Sequence, residues 1–192
     1  MAVSSALALM DSPIIYTVGH STRSLEELTG LLEASNVREL ADVRSVPRSR
    51  RHPQFAGEAL ASSLPIHGIA YVHDGALGGF RRAQPDSPNT GWEHPAFRGY
   101  ADYMGSEEFR GALQRLQTRA RQHAVCVMCA EALWWRCHRR LISDALVIRD
   151  WRVLHLGLHP QPVEHELTPF AVRGEDHTLT YPPLQTELAT VA

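Results

Sequence analysis

The stretch AVCVMCAEALWWRCHRR, residues 124–140, decides the fold class of this chain. It opens with an apolar run that ends at Cys129, passes through a short loop and continues in a helical pattern to about Arg149. An uninterrupted apolar run of this length is typical of a strand that is buried on both faces. The stretch therefore predicts a strand, a loop and a helix, with polar residues gathered where the strand ends.

The same alternation of strand and helix extends outward from this stretch. Further strands are predicted at residues 14–18, 37–43, 69–73 and 153–156. Helices are predicted after Ser24, over residues 58–64 and after Ser106, and Ser24 with Glu27 forms a capping-box pattern. Strands separated by helices favour a mostly parallel sheet of about five strands with helices on both faces. The expected fold class is a single α/β domain.

The chain of 192 residues divides into three segments. We interpret residues 1–13 as a loose leader, residues 14–156 as the α/β domain, and residues 157–192 as a polar, Pro-containing tail packed on the domain. This length suits one hydrophobic core rather than two. Between residues 74 and 95 the periodic pattern is lost among glycines and prolines, which predicts a long functional loop.

The composition argues against a membrane protein, a secreted disulfide-rich domain and a non-specific nucleic-acid binder. The sequence nowhere contains the roughly eighteen consecutive apolar residues that a membrane span needs. Its three cysteines are irregularly spaced, unlike the disulfide framework of a secreted domain, so we expect a cytoplasmic protein. The formal net charge of −2 argues against broad, non-specific binding to nucleic acid, although a local basic patch remains compatible with it.

Polar clusters follow the predicted strands at their carboxyl ends. Because loops at the carboxyl ends of parallel strands converge on one edge of the sheet, we expect these clusters to form one site. The candidate catalytic residues are Cys129, Glu131, His20 and His138, and the candidate ligand-binding residues are Ser21, Thr22, Arg44, Arg48, Arg50, His73, Trp134, Trp135, Arg136 and Arg139.

Cys129 is the predicted nucleophile, because a helix N-terminus and nearby arginines lower the pKa of a thiol. The alternative is that Cys129 is a small buried hydrophobic residue. Glu131 is either an acid or base, or a helix cap that pairs with Arg136. Cys137 has the helical spacing of the apolar residues that follow it, so core packing is favoured over chemistry, and Cys126 is interpreted as packing only.

The remaining candidates also have two interpretations. His138 is either a catalyst or a hydrogen-bonded structural residue, and the paired tryptophans either stack on a base or plug the core. The arginines of residues 44–51 either recognise an anion or form a solvated turn. Cys129, Cys137 and His138 with His20 or His73 offer metal ligands, but their spacing forms no recognisable zinc half-site. No cofactor is expected, and a metal is not favoured.

Several motifs resemble a known family. The strings TVGHSTRSLEELTGLL, ELADVRSVPRSRRHPQF, YVHDGALGG, FRGYADYM and VMCAEALWWRCHRRLI occur in this order and are similar to the bacterial and archaeal family called domain of unknown function 488. The resemblance extends from about Ile14 to Leu156 and implies an α/β fold but no function. The positions that match the family's signature are His20, Arg44, Arg50, Cys129, Glu131, Arg136, Cys137, His138 and Arg139.

A weaker similarity leads to rhodanese sulfurtransferases. The string LADVR, followed much later by a strand ending in cysteine and a loop closed by arginine, is similar to their layout. The loop between Cys129 and Arg136 is longer than a persulfide cradle requires, and it carries two bulky tryptophans.

The leading functional hypothesis is an enzyme that acts on or recognises a phosphate-bearing ligand, a nucleotide or nucleic acid, through arginine, cysteine, histidine and glutamate side chains. One alternative is a non-catalytic nucleic-acid-binding module, and another is a rhodanese-like thiol sulfurtransferase. The sequence alone leaves open whether the protein is an enzyme, and it predicts no oligomeric state.

Overall fold

The computed structural model describes residues 12–184 of the chain. Its elements follow the predicted alternation of strands and helices. The strands are β1 (Ile14–Gly19), β2 (Glu39–Asp42), β3 (Ala70–His73), β4 (Val125–Cys129), β5 (Arg152–His155), β6 (Val163–Glu164), β7 (Val172–Arg173) and β8 (Leu179–Thr180). The α-helices are α1 (Leu25–Ala34), α2 (Gly57–Ser63), α3 (Pro95–Tyr103), α4 (Glu107–Ala120) and α5 (Arg139–Val147).

The main sheet has six strands in the order β3-β2-β4-β1-β5-β6. The five longer strands are parallel, and β6 pairs antiparallel with β5 at one edge. The predicted single-domain α/β fold with a mostly parallel sheet is thus confirmed. Gly19 is in register with Cys129, and Asp42 is in register with both Met128 and His73, so the carboxyl ends of four strands meet at one edge.

Helices cover both faces of this sheet. Every residue of β4 is buried, as the apolar run predicts. Because successive side chains of a strand point to opposite faces, Val127 packs against α3, α4 and α5, whereas Met128 packs against α1 and α2. The sheet therefore separates two apolar cores, and its loops at the carboxyl edge are left free to form a site.

The first helix begins where its capping box predicts. The Ser24 hydroxyl accepts a hydrogen bond from the Glu27 amide at 3.1 Å, and the Glu27 carboxylate accepts one from the Ser24 amide at 2.7 Å. Two of the four unpaired amides of the helix N-terminus are satisfied in this way.

Two elements differ from the sequence-based expectations. Helix α3 was not predicted; it starts at Pro95 and is capped by the His94 ring, which accepts from the Ala96 amide at 3.2 Å. Helix α5 begins only at Arg139, so Cys137 lies before the helix, at the end of a short 3₁₀ turn over Trp134–Arg136. Cys137 is thus outside the helix that its spacing predicted, although it is buried in the same core cluster as Leu141 and Ala145, as expected.

Residues beyond the last parallel strand contribute to the main fold. Strand β6 extends the sheet, β7 and β8 form a separate two-stranded sheet, and Tyr181 is fully buried in the core. The expected leader lies outside the described residues except for positions 12 and 13, as does the end of the expected tail from residue 185. No helix within residues 12–184 is long and apolar enough to cross a membrane.

Candidate functional site

A cleft of about 680 Å³ opens at the carboxyl ends of β1, β2 and β4, a size typical of small-molecule sites. The candidates predicted from sequence that line it are His20, Arg44, Arg48, Cys129, Glu131, Trp135, Arg136 and His138. Cys137, which the sequence analysis assigned to packing, also lines the cleft, together with four residues that it did not single out: Phe80, His94, Phe97 and Tyr100. Three of these were missed because they belong to, or cap, the unpredicted helix α3.

Five of the predicted residues do not line the cleft: Ser21, Thr22, Arg50, His73 and Trp134. The His73 ring bonds to the Arg44 carbonyl at 2.8 Å, and the Trp134 ring stacks on His155 at 4.3 Å between centroids. The contact of Trp134 fits its alternative as a core plug, and that of His73 holds its ring against the backbone. Arg139 is not on the cleft surface either, because it lies beneath it.

The floor of the cleft is formed by two thiols. Cys129 ends β4 and is 2 % exposed, and Cys137 precedes α5 and is 7 % exposed. Their Sγ atoms are 2.8 Å apart. The Cys129 sulfur also accepts a hydrogen bond from the Glu131 amide at 3.3 Å. Cys137 is buried, as packing requires, but its sulfur is part of the site.

A close approach of two backbones fixes the loop that carries this amide. An added Cβ at Gly19 would lie 1.8 Å from the Glu131 carbonyl oxygen. Only glycine allows β1 and the loop after β4 to pass at this distance. The same carbonyl accepts a hydrogen bond from Arg139 Nη2 at 2.5 Å, so this contact also positions the guanidinium.

Arg139 lies beneath the thiols and is 1 % exposed. Its Nε donates to Cys129 Sγ at 3.0 Å, and its backbone amide donates to Cys137 Sγ at 3.5 Å. The remaining partners of its guanidinium in residues 12–184 are the Thr17 hydroxyl and the carbonyls of residues 131 and 132, with no carboxylate among them. A guanidinium stays protonated, and a buried unpaired charge is costly, so a thiolate is the available counter-charge.

The two thiols share this negative charge unequally. Burial raises the pKa of the Cys129 thiol well above its usual range. Burial also acts to raise the pKa of Cys137, but the hydrogen bond from Cys129 and the charge of Arg139 outweigh it and lower this pKa to about 7. Near neutral pH, Cys129 therefore keeps its proton and donates a hydrogen bond to the Cys137 thiolate. Of the two thiols, Cys137 is the one with the lowered pKa, whereas the sequence analysis predicts Cys129 as the nucleophile.

The ring of His138 lies next to the Cys137 sulfur. Its Nε2 is 3.1 Å from the Val43 carbonyl, which can only accept, so Nε2 carries the proton. Its Nδ1 faces Cys137 Sγ at 3.5 Å. Burial lowers the pKa of His138, which leaves Nδ1 as a neutral acceptor for the Cys137 proton. Nδ1 can therefore accept a hydrogen bond from Cys137 only while Cys137 is a thiol.

His20 is also neutral, for a similar reason. Its Nδ1 donates to the Ser21 carbonyl at 3.0 Å, and its ring stacks on Phe55 at 4.4 Å. Burial lowers its pKa to about 4. Its Nε2 therefore accepts, from Arg44 Nη1 at 3.3 Å. His20 is an acceptor in the site across the physiological range of pH.

Arg44 is largely neutralised by the protein itself. Its Nε and Nη2 bond to the Asp42 carboxylate at 2.8 and 2.5 Å, and Nη2 also donates to the Phe55 carbonyl at 2.8 Å. Asp42 further accepts from the Tyr71 hydroxyl at 2.9 Å. Arg44 thus organises the wall of the cleft, and less of its charge is available to a ligand than the sequence suggested.

The rim of the cleft carries exposed side chains, whereas the thiols of its floor are buried. The side chains of Arg48 and Arg136 are exposed and have no hydrogen-bond or ion-pair partner among the described residues. Phe80 is 93 % exposed and Trp135 is 41 % exposed. Phe80 also has a φ of 59°, a left-handed conformation that is unfavourable for a bulky residue and that recurs at functional sites.

A buried polar chain connects Arg139 to the far side of the core. Arg139 Nη1 donates to the Thr17 hydroxyl at 3.2 Å, and Thr17 bonds to His155 Nδ1 at 2.6 Å. His155 Nε2 bonds to His165 Nδ1 at 3.0 Å, and His165 Nε2 bonds to Asp144 at 2.9 Å. The sequence gave no signal for this chain, since its members come from four separate segments.

The third cysteine stands apart from the site. Cys126 and Cys129 have the spacing of a metal or redox pair, but strand alternation directs them to opposite faces of the sheet. Cys126 packs with α1 and α2, as its interpretation as a packing residue predicted. Within residues 12–184, no group of three or more His, Cys, Asp or Glu side chains is arranged to hold a metal ion.

A model of one protein family covers most of this architecture. The family described as Domain of unknown function DUF488 matches residues 24–146. The chain belongs to this family. The resemblance found in the sequence motifs is thereby confirmed, and the DUF488 match includes every cleft residue named above except His20. No curated protein and no solved structure matches the chain.

Proposed function

We propose that this DUF488 protein is a thiol-dependent enzyme that acts on a phosphate-bearing ligand, a nucleotide or nucleic acid, held in the cleft. The observation that carries the proposal is the buried Arg139, whose guanidinium donates to Cys129 Sγ and whose backbone amide donates to Cys137 Sγ, with no carboxylate among its hydrogen-bond partners in the described residues. A protein that only needed a packed core would be more stable with an apolar residue there. The arrangement maintains a thiolate at the floor of an open cleft.

The rim supplies the recognition of an anion. Arg48 and Arg136 have no partner among the described residues, and their side chains line the cleft that ends at the thiols. Guanidinium groups bind phosphate through paired hydrogen bonds, and this geometry is available to both side chains. The exposed rings of Phe80 and Trp135 offer stacking surfaces for a base.

The floor supplies the chemistry. Cys137 is the nucleophile, held as a thiolate by Arg139 and by the hydrogen bond from Cys129, and the neutral Nδ1 of His138 lies beside its sulfur. Glu131 is exposed at the mouth of the cleft, where its carboxylate can exchange a proton with a leaving group. The neutral His20 accepts a hydrogen bond from the ligand or from Arg44.

Ligand binding is tested by thermal shift with nucleoside monophosphates, nucleoside triphosphates and single-stranded oligonucleotides. We expect at least one of them to stabilise the protein, by about 2.7 kcal/mol when present at a hundred times its Kd. Arg136→Ala should weaken binding about tenfold or more, since hydrogen bonds to charged groups contribute about 1.5–3 kcal/mol. Arg115→Ala is the matched control, because Arg115 is an exposed residue of α4 outside the cleft.

Catalysis is tested by incubating the bound compounds with wild type and with Cys137→Ser, followed by mass spectrometry of products. We expect turnover by wild type alone, with binding retained in the variant. Binding without turnover in either protein favours the nucleic-acid-binding module. A sulfur atom transferred from thiosulfate to Cys137 favours the sulfurtransferase. Equal binding by Arg136→Ala and Arg115→Ala contradicts the phosphate site.

A further inference from the structure

The two cleft sulfurs are close enough to bond to each other. A disulfide joins sulfur atoms at about 2.05 Å, so the 2.8 Å between the Sγ atoms of Cys129 and Cys137 must shorten by only roughly 0.8 Å. Both residues are at the ends of elements, since Cys129 is the last residue of β4 and Cys137 follows a 3₁₀ turn.

We propose that Cys129 and Cys137 form a two-electron redox centre, in which Cys137 reduces a hydroperoxide and Cys129 resolves the product as a disulfide. This activity does not require the phosphate-bearing ligand. It uses the same thiols, and it assigns a chemical role to Cys129, which the proposed nucleophilic reaction uses only as a hydrogen-bond donor.

The first step oxidises Cys137. Its thiolate attacks the terminal, hydroxyl-bearing oxygen of the hydroperoxide. The O–O bond breaks, and the leaving alkoxide takes a proton from solvent. The products are an alcohol and the sulfenic acid of Cys137. Arg139 favours this step because it stabilises the thiolate, and the cleft gives the peroxide access to the sulfur.

The second step forms the disulfide between Cys129 and Cys137. The Cys129 sulfur attacks the sulfenic sulfur of Cys137, the S–O bond breaks, and water leaves with the Cys129 proton and the sulfenic hydroxyl. Arg139 Nε and the Glu131 amide both donate to Cys129 Sγ, which favours its deprotonation as it attacks. A dithiol then returns both residues to thiols by exchange.

The test maps the cysteines of the full-length protein after treatment with hydrogen peroxide at neutral pH in the absence of thiol reductant. We expect a disulfide between the peptides that contain Cys129 and Cys137, which dithiothreitol reverses. Cys126→Ala is the matched control, because Cys126 lies on the other face of the sheet, and it should form the same disulfide.

Two variants separate the steps. Cys129→Ser, or Cys129→Ala if the serine variant does not fold, should accumulate the sulfenic acid of Cys137, with at least about tenfold more dimedone adduct than wild type. Cys137→Ser should give neither adduct nor disulfide. The proposal is overturned if peroxide converts Cys137 of wild type to sulfinic acid without a disulfide, if the disulfide contains Cys126, or if all three cysteines stay reduced.

The redox result and the ligand result are independent. Disulfide formation without nucleotide binding supports the redox centre and contradicts the phosphate site. Nucleotide binding and turnover with no disulfide support the proposed function and contradict the redox centre.

Discussion

Arg139 places a buried positive charge beside the two thiols of the site. It is the largest side chain in the described part of the chain that is fully buried, and its hydrogen bonds connect a sulfur pair on one side to a hydroxyl on the other. Because guanidinium cannot lose its proton, the charge must be balanced by its surroundings. The charge of Arg139 therefore contributes to the lowered pKa of the Cys137 thiol.

The pH dependence of alkylation tests this at Cys137. With its pKa lowered to about 7, Cys137 should react with iodoacetamide at a rate that rises through neutral pH and levels off above it. An ordinary thiol rises only near pH 8.5. The titratable or charged groups near this sulfur are Cys129, His138, Arg139 and Tyr100. Cys126, whose pKa is raised by burial, is the internal control and should stay unlabelled.

Mass spectrometry of partly labelled protein measures both rates. Labelling of Cys129 before Cys137, or equal slow labelling of all three cysteines, contradicts the assigned order of nucleophiles.

Replacing Arg139 tests how much its charge contributes to the lowered pKa of Cys137. Arg139→Met keeps much of the buried volume but removes the charge, so the pKa of Cys137 should rise by at least about one unit, equivalent to about 1.4 kcal/mol. The midpoint of the alkylation profile reports this shift, and circular dichroism reports whether the variant folds. Arg115→Met, at an exposed site, should leave the profile unchanged. An unchanged midpoint in a folded Arg139→Met protein contradicts the thiolate assignment.

At the scale of the elements, the contact between β1 and the loop after β4 holds the thiols in position. Gly19→Ala places a methyl group against the Glu131 carbonyl, and overpacking of this kind costs about 1–3 kcal/mol. Gly30→Ala is the matched control, because Gly30 is in α1 and a methyl group added there would meet no described atom within 4 Å beyond its own helix backbone. Alanine at this helical position should stabilise the protein by up to about 1 kcal/mol.

Urea denaturation of the two variants measures the effect. We expect shifts of opposite sign, and the alkylation profile of Cys137 should change in Gly19→Ala only. Equal stability of both variants contradicts the close approach.

The elements that the sequence predicts are those whose pattern is local. Strand β4 is an unbroken apolar run and α1 has a capping box, so both follow from neighbouring residues. Helix α3 was missed because its buried Gly99 packs under the backbone of residues 81–83, a contact that no local pattern records. Strands β6, β7 and β8 have two residues each, too few to show alternation.

The place of the site was predictable, whereas its chemistry was only partly so. Parallel strands bring His20, Arg44 and Cys129 to one edge wherever their helices lie. The contact of Cys129 with Cys137 depends on the 3₁₀ turn over Trp134–Arg136, which replaces the first turn of the expected helix. The charge of Arg44 was overestimated because its partner Asp42 is two residues away on a strand end, where pairing depends on side-chain direction.

At the scale of the whole molecule, residues outside the DUF488 match complete its core. Asp144 accepts from His165, from the Thr168 amide and from the Tyr181 hydroxyl, and all three donors come from beyond residue 146. The carboxylate is fully buried, so each lost donor leaves charge less well solvated.

Removing the Tyr181 hydroxyl tests whether these donors to Asp144 stabilise the core. Tyr181→Phe should lower the free energy of unfolding by about 1.5–3 kcal/mol, because the hydroxyl bonds to a buried carboxylate. Tyr16→Phe is the control, since the Tyr16 hydroxyl has no hydrogen-bond partner among the described residues, and it should change stability by less than about 0.5 kcal/mol. Urea denaturation of both variants gives the comparison. Similar stabilities would show that the residues after the match do not support the core.

The buried chain from Arg139 to Asp144 has a direction. It begins at a group that can only donate and ends at one that can only accept, so each member between them has one allowed orientation: Thr17 donates to His155, His155 to His165, and His165 to Asp144. Both imidazoles are consequently fixed as the Nε2–H tautomer. In a proton nuclear magnetic resonance spectrum, these two ring protons should exchange slowly with water and give separate low-field lines.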